Sequence, residues 1–520
     1  MKKMPENFTV LALSASALAV CLLQACSGGG MSASSVAGQL ANGVVTGFGS
    51  VFVDGVELED ANAAITAENP DGSTRNVALQ MGQRVRVSHD GKGTASKVSL
   101  DAAVIGSVSS IDLTNKTVTI AGQKVVVNDD ATAGLLTTYG GGYTALTDVA
   151  ANDLAEVHGS PVYDATSSSY KVLATRLQKV TAITHLQAKG KISGLNVASQ
   201  TFTLNGLTVS YASANVRPTG ATLSNDLAVT VYAPLSNLVN GTVSASHLKV
   251  DRLQDASATA NAGTHVQMSG QVSLYDPTAK KLEIQGVEVS VASATVTPSG
   301  AVLSNNAYVK VEGSLGADGK VTATQVQVRT SNTATDLAKV KLIGVISDFV
   351  DSSSFIVRGV PVDASGIQIA TACPNVTLAN DLPVQVTATQ QAGTPVVWAT
   401  DLSCQVKPAV LIRPVDGNIA AVNSVARSFT VTSRNATTTT VYWNDATSFV
   451  GLTSDALSTQ TVHVEGFVSN GLYTAKMVSL IDSQKRLDDD EFRATPPAAS
   501  GTSSNAASAW SQYRLRHQHH

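Results

Sequence analysis

The sequence predicts an all-β protein: a tandem array of about six small β-barrel or sandwich-like modules behind a signal peptide and a flexible tether. Three observations predict it. A unit of about seventy-five residues recurs, so that residues 209–225 and 289–305 superimpose almost one for one, Pro218-Thr219-Gly220-Ala221 answering Pro298-Ser299-Gly300-Ala301. Glycines frame the unit in pairs: Gly106 and Gly122, Gly190 and Gly206, Gly270 and Gly286, Gly344 and Gly359. Between them, Val, Thr and Ile alternate with polar residues, the two-residue period of a strand with one buried face.

Each unit opens with a glycine-bearing strand and runs through a hairpin centred on the second glycine. Thr117-Val118-Thr119-Ile120-Ala121-Gly122-Gln123-Lys124-Val125 shows the alternation on both sides of a tight turn. A longer link leads to a Val-x-Val strand at 229–231, 309–311, 384–386 and 462–464. A closing strand then carries an alanine with an aliphatic residue three positions on, as in Ala323 and Val326 or Ala475 and Val478. About five short strands cannot bury one apolar face as a flat sheet, so each unit is expected to curl into a closed or sandwiched form. The expected boundaries are 1–25 for the signal peptide and 26–42 for the tether. The modules follow at 43–104, 105–187, 188–260, 264–332, 339–410 and 414–482, with a disordered tail at 483–520. The first copy has an Asp54-Gly55 turn, and the last replaces the turn glycine with a longer loop, as capping repeats often do.

Lys2 and Lys3 precede an apolar stretch, from Phe8 to Leu23, that is short for a transmembrane helix and reads as a secretory signal. It ends in Leu23-Gln24-Ala25-Cys26, which resembles the lipobox of bacterial lipoproteins and makes Cys26 the expected lipidated first residue of the mature chain. The alternative is an ordinary signal peptide with Cys26 a bystander. Several acyl chains on one cysteine give firm anchoring, because each buried methylene contributes about 0.8 kcal/mol. Ser27, where an aspartate would retain a lipoprotein at the inner membrane, points by the same resemblance to the outer membrane, facing the periplasm or the cell surface. Gly28-Gly29-Gly30 and the Ser/Ala run behind it form the tether.

Of 520 residues, 43% are hydrophobic and only 14% charged, and the net charge of −4 argues against nucleic acid as a partner. With Cys21 in the leader and Cys26 lipidated, Cys373 and Cys404 remain within one module. An oxidising compartment makes them a disulfide worth about 3.5 kcal/mol in the chain-entropy model; two buried thiols or half a metal site are the alternatives.

The glycine-framed unit, with Thr46-Gly47-Phe48-Gly49-Ser50-Val51-Phe52-Val53-Asp54-Gly55-Val56 behind a lipobox, resembles the repeat-bearing bacterial lipoproteins of domain of unknown function five-six-six-six. That resemblance covers nearly all of residues 43–482. It implies small exported β-barrels in tandem, and neither a reaction nor a catalytic residue.

No nucleophile elbow, phosphate loop, dinucleotide fingerprint or zinc helix occurs, and no cofactor is expected. His89, His158, His185, His247, His265 and His463 are dispersed singly. Asp488-Asp489-Asp490-Glu491 lacks calcium-loop spacing, and His517, His519 and His520 make a poor specific metal site. Phe202, Tyr211, Tyr232, Tyr275, Phe355 and Trp398 do not recur at one repeat position, as stacking platforms would. The expectation is a non-enzymatic scaffold or interaction array, attached to the membrane through its lipid and meeting envelope proteins. The alternatives are a polysaccharide-binding array and, third, a hydrolase with a site between modules.

Overall fold

The computed structural model describes residues 39–481, apart from 61–62, 131–134, 181–182, 257–259, 330–338, 381, 405–411, 425, 434–435, 444–446, 451 and 470–471. The leader, Cys26, the tether to residue 38, the linker at 330–338, the acidic run at 488–491 and the tail histidines lie outside the described residues.

Among the described residues strand pairing repeats six times, and the fourth set shows the pattern. Its opening strand His265–Asp276 pairs antiparallel with Lys281–Ile284, which pairs antiparallel with Val287–Ser290. That third strand lies parallel to the closing strand Val321–Arg329, as does the short fourth strand Thr295–Thr297. The closing strand pairs antiparallel with the fifth, Tyr308–Leu315, which returns to the first half of the opening strand. The ring closes on itself, in the manner of a small Greek-key barrel of the OB type. The opening strands of the others are Gln39–Phe48, Val104–Asp112, His185–Asn196, Lys339–Asp351 and Ile412–Asn423. In the first set, third-to-closing contact is a single parallel bridge, Glu59 to Thr94. In the fifth, a one-turn helix, Ile369–Ala372, stands in place of the short fourth strand.

Two-residue periodicity fills the barrels. Val229, Val231, Val309, Val311, Val384, Val386, Val462 and Val464 are all fully buried, so every Val-x-Val points both valines inward. Phe202, Tyr232 and Phe355 are core residues too, whereas Trp398 is 45% exposed.

Repetition alone predicts barrels touching only their sequence neighbours. The pairing is different. The opening strand of the first set lies parallel to that of the fourth, Leu40 opposite Val266 and Asn42 opposite Met268. Further along, Gly47 and Phe48 pair in parallel with Lys341 and Leu342 of the fifth set. The second and third sets join through Val104–Ile105 and Gln187–Ala188, antiparallel. In the first, second and third of these joins, the paired edge is one that a bent opening strand leaves free on its own barrel, and covering it removes an aggregation-prone edge. The strand starting at Gln39 also takes in 39–42, which the sequence reading assigns to the tether. Those residues pair on one side with Arg86–His89 of their own set and, over 40–42, on the other with Val266–Met268, more than two hundred positions away, which no local pattern reveals.

Candidate functional site

Charge is scarce in this chain, yet the first three barrels bury a cluster of it where they meet. Arg84 and Arg86 flank the inward-facing Val85 on the fifth strand of the first set, so alternation turns both outward towards the neighbouring barrels. Asp101 and Asp251 each directly follow a closing strand, in the first and third sets. Lys189 precedes the opening glycine of the third set. Asp101 lies 3.6 Å from Arg84 Nη2 and 3.3 Å from Arg86 Nε, and accepts a hydrogen bond from Lys189. Asp251 accepts from Thr230 Oγ1 at 2.6 Å and lies 3.4 Å from Lys189 and 3.9 Å from Arg86.

The fourth barrel and the second close around the same arginine. Arg84 donates to Gly159 O and Ser160 Oγ, each at 3.2 Å, to Asn42 Oδ1 at 3.0 Å and to Gln285 Oε1 at 2.6 Å, linking the first, second and fourth sets. Beside it Glu283 of the fourth set accepts from Lys191 of the third and, at 3.2 Å, from Tyr170 OH of the second. Glu68 pairs with Arg217 at 2.9 Å and with Lys249, tying the first set to the third.

The electrostatics follow from burial and pairing. Burial opposes ionisation of Asp101, but Arg86, Lys189 and Arg84 outweigh it and hold the carboxyl well below the ordinary range. Asp251 is lowered in the same way, burial being overcome by Lys189 and Arg86. Burial pulls Arg84 down, whereas for Arg86 it is outweighed by Asp101 and Asp251. Two open clefts flank the cluster. One is lined by Glu68, Arg75, Lys97, Glu156 and Tyr232. The other is lined by Tyr170, Pro161, Lys191, Asp251 and Gln285. Both could hold a polar ligand by hydrogen bonds.

A second junction joins the first, fifth and sixth sets. Arg358 lies 3.2 Å from Glu465, and Lys476 lies 2.8 Å from Asp60. His463 pairs with Asp416 at 2.6 Å and lies 3.7 Å from Glu465. Burial pushes its imidazole down, but the two carboxylates prevail and raise it to about 10. Glu465, buried yet faced by Arg358 and His463, falls to about 2.

Among residues singled out in the sequence, Cys373 and Cys404 form a disulfide with Cα atoms 5.2 Å apart. His158 is fully buried, with Nε2 2.7 Å from Glu156 in its own strand. His89 and His265 are lowered, chiefly by burial. Among the described residues no group of three or more metal-ligating side chains occurs. The arginine-centred cluster itself escapes motif reasoning. A signal for it exists: aspartate directly follows the closing strand at the same repeat position in Asp101 and Asp251.

Residues 269–327 and 416–479 match the family profile described as Domain of unknown function (DUF5666), so the domain occurs at least twice, in the fourth and sixth sets. No curated protein matches the chain. Among solved structures the chain is similar to drosophila Unr CSD456 at 10% identity, covering 44% of this chain and 98% of that one with a TM-score of 0.12, too low to carry an argument.

Proposed function

We propose that this chain, a tandem carrier of a domain of unknown function, is a non-enzymatic scaffold held to the outer membrane through a lipid on Cys26. The observation that carries the reading is the first opening strand. Gln39–Phe48 is hydrogen-bonded into the first barrel and also into the fourth and fifth, so a pull on the chain ahead of it reaches three barrels at once. A merely terminal barrel would peel away alone. The clefts support a structural role as well. Asp101 and Asp251 are driven to stay ionised, away from the near-neutral range that suits a general acid or base. Cys26→Ala is expected to release the protein from the membrane fraction of its cells. Sedimentation of that variant wholly with membranes would overturn the anchor.

The two clefts favour polysaccharide binding as the second reading, since hydrogen-bonding side chains line both. Retention of the mature protein on insoluble cell-wall or exopolysaccharide material would support it. Passage straight through, with the barrels still folded by circular dichroism, would leave the scaffold alone.

A further inference from the structure

Among the described residues, the hairpin turns at the second framing glycine of five sets share a conformation, and in four of them a polar residue holds it. Asp54, Asn205, Gln285 and Arg358 have φ of 50°, 49°, 56° and 56°, and each is followed by a glycine also at positive φ, giving the two left-handed residues of a type I′ turn. In every case the side chain lies back over the opening glycine of its own set. A Cβ built on Gly43 would sit 1.9 Å from Asp54 Oδ2, and one on Gly190 2.8 Å from Asn205 Nδ2. On Gly270 it would be 3.2 Å from Gln285 Cγ, and on Gly344 2.9 Å from Arg358 Cγ. The opening glycine is the seat on which the turn residue rests, which is why two glycines frame the unit.

From that seat each side chain reaches a different barrel. Asp54 accepts from Ser269 Oγ and, at 3.3 Å, from Tyr308 OH, both of the fourth set. Asn205 donates to Gln123 Oε1 of the second set at 2.7 Å, and Gln123 Nε2 donates back to Leu204 O at 3.3 Å. Gln285 accepts from Arg84 of the first set while donating to Ser269 O of its own. Arg358 faces Glu465 of the sixth set and lies over the Phe48 ring of the first, 5.9 Å from its centroid. In the second set the position is Ala121, too short to reach out, and its hairpin instead receives Asn205.

We propose that the residue ahead of the second framing glycine is the address by which one barrel selects its neighbour. The turn itself tolerates an acid, two amides and a guanidinium at the same φ. Charge, length and donor sense then decide the docking partner: a carboxylate for hydroxyls, an amide for an amide or guanidinium, a guanidinium for a carboxylate.

The test exchanges residues that the turn already holds. In the full mature chain, Gln285→Arg would set two guanidinium groups face to face, and Arg358→Gln would leave Glu465 without its arginine. Native-state hydrogen exchange reads hairpin and docking separately. Gln285→Arg is expected to speed exchange of the Leu40–Asn42 and Val266–Met268 amides roughly tenfold or more, and Arg358→Gln that of the Thr461–Ser469 amides. The hairpins Lys281–Ile284 with Val287–Ser290 and Ser354–Val357 with Val360–Asp363 should keep their protection. Gln285→Glu, whose carboxylate complements the charge of Arg84 but gives up the donation to Ser269 O, should leave Leu40–Asn42 better protected than Gln285→Arg does. Three outcomes would each overturn the proposal: neutral swaps, hairpins that lose protection as much as the docked strands, or a Gln285→Glu variant that opens as far as Gln285→Arg.

Discussion

At Gly47 a missing side chain decides how two barrels meet. A Cβ there would lie 2.1 Å from Lys341 O, a backbone atom that parallel pairing fixes in place. Gly47→Ala is therefore expected to cost more than about 2 kcal/mol and to lower the denaturant midpoint. Gly55 is the control. Nothing stands within 4 Å of its would-be Cβ, so Gly55→Ala should cost only the about 1 kcal/mol of holding alanine at positive φ. Equal losses at the two positions would refute the steric reading. Asp54 poses a different residue-scale question, because burial raises its carboxyl to about 6 against an ordinary 3.8. An acid whose folded value is raised loses stability as pH climbs from 3.8 through 6, since the folded form must then give up a proton it holds more tightly. Asp54→Asn should flatten that part of the stability curve and leave the protein more stable than its parent at pH 8. A parent curve with no fall between pH 4 and 7 would remove the basis for this.

At the scale of the element, the sixth set carries a two-sided pH signature. His463 is raised from 6.5 to about 10, so its contribution is complete below 6.5 and lost as pH rises through 10. Glu465 is lowered from 4.5 to about 2, so its contribution is complete above 4.5 and lost as pH falls through 2. Exchange protection of Thr461–Ser469 should peak between about pH 4.5 and 6.5, and His463→Gln should remove the alkaline decline alone; a decline that survives the substitution must come from elsewhere. Reduction of the Cys373–Cys404 bridge should weaken the fifth set by about 3.5 kcal/mol without touching the second and third. These elements were largely legible. The alternation around Gly286 and the buried Val309 and Val311 follow from period-two patterning and turn chemistry, which are local. What stayed hidden is non-local. Residues 39–42 read as tether because they continue a Ser/Ala-rich run, and it takes pairing with Arg86–His89 of their own set and, for 40–42, with Val266–Met268 of the fourth to make them a strand. The burial of Arg84 was equally invisible, because alternation says that it faces outward but cannot say that another barrel stands there.

At the scale of the molecule, the question is whether these barrels behave as beads or as one body. A string of independent barrels unfolds in separate steps, and damage to one leaves the rest intact. The arrangement around Arg84 points the other way. Its guanidinium bonds Asn42 in its own barrel, Gly159 and Ser160 in the second and Gln285 in the fourth, and it stands 3.6 Å from Asp101. Arg84→Met keeps much of the side-chain volume while stripping a buried charge from acceptors in three barrels. Arg86 and Lys189 remain to hold Asp101, so the carboxylate is not left alone. The loss should lie near the lower end of the 3–5 kcal/mol typical of a broken buried pair, or about 3 kcal/mol. Its distribution is the informative part. Hydrogen exchange should accelerate together at Gln39–Phe48, at Leu154–Asp164 and at Lys281–Ile284, strands of three different sets, while Ser428–Thr432 in the sixth stays protected. Acceleration confined to the first barrel would mean that the junction packs without coupling, and the pull of the anchor would then reach one barrel only.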